Sequence, residues 1–164
     1  MRKGTLSGQI CPVMCGTAYR NIGVQPLISA LIDLLPNPLD RKEVFAVDQD
    51  RDESISLNVS KHKEATGLVF KVLTDQHAGK IAMARLYTGS LKAGNTLYNV
   101  RTGANLIAGR LMRIRAEHME TINVVHTGDI FAIPGLKDVK TGDTLTGSKS
   151  AVMLESMDFP ECLQ

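Results

Sequence analysis

Two apolar runs near the middle of the sequence decide the fold class. Residues 68–73 read Leu-Val-Phe-Lys-Val-Leu, residues 81–87 read Ile-Ala-Met-Ala-Arg-Leu-Tyr, and a loop that ends at Gly79 separates them. Each run has the length of a strand, is rich in aliphatic and aromatic residues, and is bounded by turn residues. The two runs therefore predict a pair of β-strands.

The same alternation of short apolar runs and glycine turns continues to residue 147. Further strands are predicted at 95–99, 106–114, 124–125, 130–133 and 142–145. The segment Thr102-Gly103-Ala104-Asn105 is a predicted hairpin turn, and Gly109 indicates a bulge or a tight bend. Six or more strands with no helix between them predict a mainly β fold, a closed antiparallel β-barrel over residues 65–147.

A different pattern precedes the barrel. Residues 10–15 predict a strand buried on both faces, although Pro12 cannot donate to a ladder. Apolar residues at three- and four-residue spacing then predict a helix that begins near Pro26 and ends before Pro36. One strand-turn-helix unit cannot bury both faces of a sheet, so residues 1–40 are expected to be a remnant of a larger α/β domain.

Residues 41–64 have the composition of a linker, because they are rich in charged residues and poor in large apolar ones. Short strands remain open within this range at 44–47 and 55–59. At the other end of the chain, residues 151–157 indicate a strand that leaves the barrel.

The charge of the chain is unevenly distributed. Its 164 residues are 43% hydrophobic and 22% charged, as in ordinary globular proteins, and the net charge is +2. Residues 1–60 carry −1, residues 61–115 carry +8 and residues 116–164 carry −5. The basic middle part indicates a surface for a polyanion, while solvated strand edges are the alternative interpretation.

A structured RNA backbone is the polyanion that fits best. Aromatic residues make up only 4% of the chain and tryptophan is absent, which disfavours base stacking on an aromatic platform. The candidate RNA-binding residues are Lys80, Arg85, Lys92, Arg110, Arg113 and Arg115.

Motifs for catalysis are absent from the sequence. There is no Gly-x-x-x-x-Gly-Lys-Ser/Thr phosphate loop and no Gly-x-Ser-x-Gly elbow, so no catalytic residue is assigned. Cys11 and Cys15 are predicted to be buried core thiols rather than zinc ligands, and no metal site is assigned. The four histidines are scattered, and His77 is predicted to lie on an exposed loop.

The cellular setting follows from the same residues. No apolar run is long enough to cross a bilayer, and the first residues lack a secretory signal. Three cysteines cannot form a fully paired disulfide set, which favours a reducing cytoplasm.

Residues 13–27, Val-Met-Cys-Gly-Thr-Ala-Tyr-Arg-Asn-Ile-Gly-Val-Gln-Pro-Leu, resemble the end of the GTPase domain in the elongation factor G family of translational GTPases. Later segments agree with the family in the same order, at 70–75, 79–81, 85–94, 128–130, 135–137 and 141–145. The resemblance covers most of the chain and is poorest in the linker.

The resemblance implies four parts. Residues 1–40 would be the C-terminal end of the GTPase domain, 41–64 a linker, 65–147 the second-domain β-barrel and 148–164 the start of the third domain. Cys15, Gly16, Thr17 and Ala18 match the last guanine-nucleotide motif, in which a small hydroxyl residue shapes the loop and the following amide contacts the base carbonyl. The other nucleotide motifs are missing, so GTP or GDP with Mg would bind the full-length parent and not this chain.

The resemblance also implies a role. In the family the barrel docks on ribosomal RNA of the small ribosomal subunit, and it couples to its own GTPase domain and third domain during GTP-dependent translocation of tRNA and mRNA. No membrane or DNA partner is expected. The barrel of a ribosomal protection or release GTPase, and a stand-alone RNA-binding barrel, are the alternatives.

Overall fold

The computed structural model describes residues 1–49, 51–75, 79–116, 118–149 and 152–154. The chain separates into two compact units, the first covering Met1–Asp40 and the second beginning at Arg41. His77, Asp50 and most of residues 150–164 lie outside the described residues.

The first unit consists of two helices and the loop between them. Helix α1 spans Arg2–Leu6, a 3₁₀ turn spans Ala18–Arg20, and helix α2 spans Val24–Leu34. Helix α2 confirms the helix predicted between Pro26 and Pro36. It ends at Leu34 because Leu35, which precedes a proline, is extended with ψ 152°.

The side chain of Arg2 holds the C-terminal end of α2. Its guanidinium donates to the carbonyl oxygens of Asp33 and Leu35 at 2.6 and 3.2 Å, and to a carboxylate oxygen of Asp40 at 2.5 Å. A cation at this end also interacts favourably with the helix dipole. Arg2 thus ties α1 to α2.

The strand predicted at 10–15 is wrong, because the structure has irregular backbone there. A strand needs a neighbour that accepts and donates its ladder hydrogen bonds, and residues 1–40 contain only one isolated bridge, between Thr17 and Ile22. No residue of this unit is buried, and Leu27, Ile28, Leu31 and Ile32 of α2 are 45–74% exposed.

Antiparallel strands make up the second unit. An eight-stranded sheet has the order β7-β6-β12-β3-β4-β11-β8-β9, and smaller sheets join β10 to β5 and β13 to β1 and β2. The bounds are β1 Glu43–Asp48, β2 Glu53–Asn58, β3 Thr66–Asp75, β4 Gly79–Thr88, β5 Ser90–Lys92, β6 Thr96–Asn99, β7 Ala104–Ile107, β8 Leu111–Arg115, β9 His118–Ile122, β10 Val124–His126, β11 Ile130–Pro134, β12 Thr144–Thr146 and β13 Val152–Met153.

This architecture confirms the mainly β class and the pairing of the two runs that became β3 and β4. Among the described strands, no hydrogen-bonded pair joins the end strands β7 and β9, so hydrogen bonds do not close the sheet into a ring. The predicted hairpin is present as β6–β7, in which Asn99 pairs with Ala104. The predicted strand 106–114 is divided, and Gly109 lies at the bend between β7 and β8.

Residues 41–64, which have linker composition, contain the paired strands β1 and β2. These strands and β13 pack on one side of the large sheet. The outer cluster consists of the buried residues Ala46, Leu57, Leu68 and Leu154, with Val44, Ile55, Tyr87 and Val152 packed against them. The charged residues face solvent while one face of β1 and β2 is apolar.

The inner core lies on the other side of the large sheet. Its buried members are Ala65, Val69, Ala82, Ala84, Leu86, Leu91, Leu97, Ala108, Leu111, Val125, Phe131, Ile133, Leu136, Val139 and Leu145. Ala82, Ala84 and Leu86 alternate along β4, as expected for one face of a strand. Leu91 of β5 and Val125 of β10 belong to the same core, so the two-stranded sheet packs on it as well.

Two similar Gly-Asp turns fix β3 and β4 to the strands beside them. At the first turn Gly128 donates to the carbonyl of Leu86 at 2.6 Å, and Leu86 donates to the carbonyl of Asp129 at 3.0 Å. Gly142, Val69 and Asp143 repeat this exchange at 2.7 and 2.9 Å. Both glycines have φ near +90°, a conformation that favours glycine.

Candidate nucleic-acid interface

The four residues that match a guanine motif form one loop of the first unit. The amide of Thr17 donates to the carbonyl of Ile22 at 2.9 Å, and the amide of Ile22 donates back at 3.1 Å. Only glycine fits at position 16 without movement of the backbone, because a Cβ there would lie 2.7 Å from the carbonyl oxygen of Ile22. The structure thus brings Cys15, Gly16, Thr17 and Ala18 together.

A small cavity of about 190 Å³ lies against this loop. Residues 14–18, 22–24 and 27 line it. Most of these residues are apolar, and the sequence contains no phosphate loop to hold the phosphates of a nucleotide. The residues present therefore do not fit a whole guanine nucleotide.

The prediction of buried core thiols is wrong for both cysteines of this segment. Cys11 and Cys15 are free and exposed. The strand that would have buried them is not formed, since it has no neighbouring strand in this unit. Among the described residues, no cluster of three or more histidine, cysteine or carboxylate side chains could hold a metal ion.

Arg85 lies on the outer face of the large sheet. Its guanidinium is 5.7 Å from the ring centroid of Tyr87, which is cation–π distance. In the register Arg85 pairs with Leu68, a member of the outer cluster, and with Ile130. Paired residues of antiparallel strands share a face, so Arg85 lies on the face of the large sheet that β1 and β2 cover.

Arg113 and Arg115 lie on the opposite face from Arg85. They follow Leu111, a member of the inner core, at intervals of two residues along β8, so they share its side of the strand. Arg113 is half-buried and pairs with Glu120, whereas Arg115 is exposed and pairs with His118. Beyond the end of the inner core this side of the strand opens to solvent.

Lys92 is the last residue of β5, and Arg110 directly precedes β8. The amide of Gly94 donates to the carbonyl of Ala108 at 2.7 Å, and this bond joins the segment after β5 to the segment between β7 and β8. Both cations are exposed. We call Lys92, Arg110, Arg113 and Arg115 the β8 basic group.

Lys80 is separate from the β8 basic group. It is exposed, is the second residue of β4, and pairs with Thr74 of β3 at the end of the hairpin that points away from Arg85. The structure therefore brings Arg113 and Arg115 together on one side of β8, with Arg110 just before the strand, and it places Lys92 on β5 and Lys80 and Arg85 on β4.

A buried charged network was missed by the sequence reasoning. The carboxylate of Asp143, 2% exposed, accepts from Arg101 Nε at 2.5 Å, Arg101 Nη2 at 2.9 Å, Asn99 Nδ2 at 2.8 Å and the amide of Lys140 at 2.9 Å. The sequence pattern places Gly142-Asp143 only at the edge of a predicted strand. The repeat of the same Gly-Asp pair at Gly128-Asp129 is the sequence signal that points to a structural aspartate.

The environment of Asp143 shifts its ionisation. Burial by itself would raise the pKa of this carboxyl group, but the hydrogen bonds from Arg101, Lys140 and Asn99, together with the charge of Arg101, outweigh it and lower the pKa. The hydrogen bond to Asp143 raises the pKa of Arg101 in turn. Arg101 is thereby engaged by Asp143 and is not a free cation for RNA.

The family profile and a curated relative both indicate the elongation factor G family. The sequence profile described as elongation factor G domain 2 matches residues 64–148. Elongation factor G 1 of Syntrophomonas wolfei subsp. wolfei is 46% identical over 161 residues, which are 98% of this chain and 24% of that protein. The chain thus spans about a quarter of the length of this curated relative.

A solved structure shares the fold. A crystal structure of a protein from Thermus thermophilus superposes with a TM-score of 0.71 at 21% identity, over 98% of this chain and 22% of that chain. At this identity the likeness concerns the fold. None of the helices in the described ranges is long and apolar enough to span a bilayer.

Proposed function

Because the chain belongs to the elongation factor G family, we propose that it is the central part of a ribosomal translocase. The observation that carries the proposal is the match of the domain 2 profile to residues 64–148, which contain both the eight-stranded sheet and the two-stranded sheet. The second domain would act in GTP-dependent movement of tRNA and mRNA, in the cytoplasm.

We propose the following division of the chain. Residues 1–40 are the end of the GTPase domain, 65–147 are a closed second-domain barrel, and 148–164 begin the third domain. The inner core supports closure, because Leu91 and Val125 of the two-stranded sheet pack with residues of the large sheet. Residues 41–64 connect the first two parts and carry β1 and β2.

The proposed partner is ribosomal RNA of the small subunit. The β8 basic group supports this assignment, since it concentrates guanidinium groups suited to forked contacts with phosphates. Lys80 and Arg85 are retained as weaker RNA candidates because they lie away from the group. The GTPase domain and the third domain of the parent are the proposed protein partners.

Nucleotide chemistry belongs to the parent protein in this proposal. GTP or GDP with Mg would bind motifs outside this chain, and Cys15, Gly16, Thr17 and Ala18 would contribute only the loop beside the base. No catalytic residue or metal ligand is assigned to the chain.

Binding to purified small ribosomal subunits tests the proposal. We compare the chain with the double variant Arg110→Gln and Arg113→Gln across salt concentrations. Each lost phosphate contact should lower the slope of log affinity against log salt by about 1, so the double variant should lose about 2. The control variant, Arg51→Gln with Lys71→Gln, removes the same charge from exposed positions outside the β8 basic group.

The salt slopes of the three proteins distinguish the possible results. Retention of the full slope in the control and its loss in the β8 variant would support the assignment. Equal slopes in all three proteins would contradict it, and the absence of any salt-sensitive binding would contradict the RNA-docking proposal itself.

A further inference from the structure

The two-stranded sheet of β5 and β10 has one face in the inner core and one face outside it. Leu91 of β5 and Val125 of β10 are 1% and 0% exposed and belong to the inner core. Side chains alternate along a strand, so Ser90, Lys92 and His126 lie on the opposite face, and all three are exposed. His126 pairs with Ser90 across the two strands. We call the surface formed by these three residues the β5 face.

The β5 face carries groups that can hydrogen-bond to a phosphate. The hydroxyl of Ser90, the ammonium of Lys92 and the ring of His126 can each donate to a phosphate oxygen. Val124, the other residue on this side of β10, is half-buried. None of the six residues of β5 and β10 is acidic. The face therefore suits an anionic partner.

Lys63 adds a cation at one end of the β5 face. A Cβ at Gly89 would lie 2.6 Å from the carbonyl oxygen of Lys63, so the two backbones are in close contact. The hydroxyl of Thr88 fixes this contact, since it donates to the carbonyl of Glu64 at 2.8 Å. Gly89 is followed directly by Ser90, and Lys63 is exposed. Lys63 thus lies beside the start of β5.

The other end of the β5 face leads to the segment before β8. The amide of Gly94, two residues after Lys92, donates to the carbonyl of Ala108, two residues before Arg110. A strand rises about 3.3 Å per residue, so β5 with the turn residue before it spans about 10 Å. The exposed cations Lys63, Lys92 and Arg110 therefore follow one another across the second unit. We call this series, together with the β5 face, the basic path.

Two carboxylates near the basic path have other partners. Glu64 lies 4.0 Å from His62 Nε2 and accepts a hydrogen bond from the hydroxyl of Ser148. Asp129 accepts from the amide of His126 at 2.9 Å. Both carboxylates are held by these local contacts, so the cations of the basic path remain available to a partner.

We propose that one strand of RNA backbone follows the basic path, from Arg110 across the β5 face to Lys63. The inference rests on the proposed function, and it adds Lys63, Ser90 and His126 to the RNA contacts. RNA is the partner because the path continues the surface that carries the β8 basic group. Contacts to phosphates fix position and carry no sequence information, so this binding is insensitive to the base sequence.

Binding to purified small ribosomal subunits at several salt concentrations tests the path. For Lys63→Gln we expect the slope of log affinity against log salt to fall by about 1, because one phosphate contact is lost. Lys71→Gln removes the same charge from an exposed position of β3 and should keep the full slope. Thermal unfolding of each variant checks that the fold is kept.

A new negative charge in the middle of the path gives a second test. Ser90→Glu places a carboxylate between Lys63 and Lys92 and should weaken binding by about tenfold, because it repels the phosphates. Ser90→Thr keeps the hydroxyl and should bind like the unmodified chain. Ser54→Glu makes the same change at an exposed position of β2 and should cost clearly less.

These variants separate the path from the proposed function. Losses in Lys63→Gln and Ser90→Glu that exceed those of their controls would support the path. If the Arg110→Gln and Arg113→Gln variant loses slope while these two bind unchanged, the path is wrong and the β8 assignment stands. Equal losses in variants and controls would also overturn the path, since charge would then act only from a distance. If no protein binds in a salt-sensitive way, the path and the RNA-docking proposal both fail.

Discussion

Asp143 shows how one residue joins two distant parts of the second unit. Its carboxylate links the hairpin β6–β7, through Asn99 and Arg101, to the turn that precedes β12. The residue is buried, and its charge is tolerated because the carboxylate accepts four hydrogen bonds, two of them from the cationic Arg101.

Replacement of Asp143 should destabilise the second unit. For Asp143→Asn we expect a loss of about 2–4 kcal/mol in the free energy of unfolding, less than for a fully buried pair because the side chain of Arg101 is partly exposed. Denaturant unfolding followed by circular dichroism measures this. An unchanged midpoint would show that the network contributes nothing.

The same residue sets a pH dependence. Its folded-state pKa is lowered below the unfolded value of about 3.9, so its contribution is complete at higher pH. The contribution declines as pH falls through the folded-state pKa, because protonation then favours the unfolded chain. The stability of the chain should therefore drop more steeply in acid than that of Asp143→Asn. Parallel pH profiles from neutral pH into acid would contradict this.

Gly89 and Gly79 separate the cost of a positive φ from the cost of a steric clash. Both have φ +69°, but a Cβ at Gly89 would lie 2.5 Å from the backbone of Glu64, while nothing lies within 4 Å of one at Gly79. Gly79→Ala should cost about 1–2 kcal/mol from the left-handed conformation alone. Gly89→Ala should cost clearly more, because the backbone of Lys63 and Glu64 must also move. Equal losses in thermal unfolding would contradict the steric argument.

At the scale of elements, the strands of the second unit were predictable from local pattern. Residues 68–73 and 81–87 lie within β3 and β4, and the glycine turns mark their ends. The bulge between Val69 and Lys71 was not predictable, because it depends on how β3 pairs with β4. Local pattern fails at residues 10–15. This apolar run remains irregular because the first unit contains no partner strand for it.

The candidate site was predictable in composition and not in arrangement. The basic residues could be listed from charge, but their distribution over two faces depends on the register of β4, β11 and β8. The Arg101–Asp143 network spans more than forty residues of sequence, as the separation of 42 shows. No local pattern encodes such a contact.

Helix α2 presents an apolar face that the first unit does not cover. Changing Ile28 and Ile32 to lysine should leave the unfolding of the second unit unchanged, because both residues are more than half exposed. It should also reduce self-association, since exposed apolar patches promote it. Analytical ultracentrifugation at several concentrations measures this. Persistent self-association would assign it to another surface.

At the scale of the whole molecule, the chain combines a well-packed second unit with a first unit that has no buried residue. This contrast agrees with a chain that spans about a quarter of its curated relative. The net charge of +2 likewise combines a basic central part with an acidic end.

Guanine nucleotides should not bind the chain with measurable affinity. The loop at Cys15–Ala18 offers only a cavity of about 190 Å³, and the groups that hold phosphates are absent from the sequence. Titration calorimetry with GTP and GDP in the presence of Mg²⁺ should give no heat beyond dilution. Binding in the micromolar range would show that the loop suffices.

The two Gly-Asp turns limit the effect of a substitution to one strand. Each turn fixes its own strand, Leu86 of β4 at one and Val69 of β3 at the other, through its own pair of backbone hydrogen bonds. The two turns share no hydrogen-bond donor or acceptor in these bonds. Loss of one turn therefore leaves the hydrogen bonds of the other turn in place, so a single substitution removes the support of one strand only.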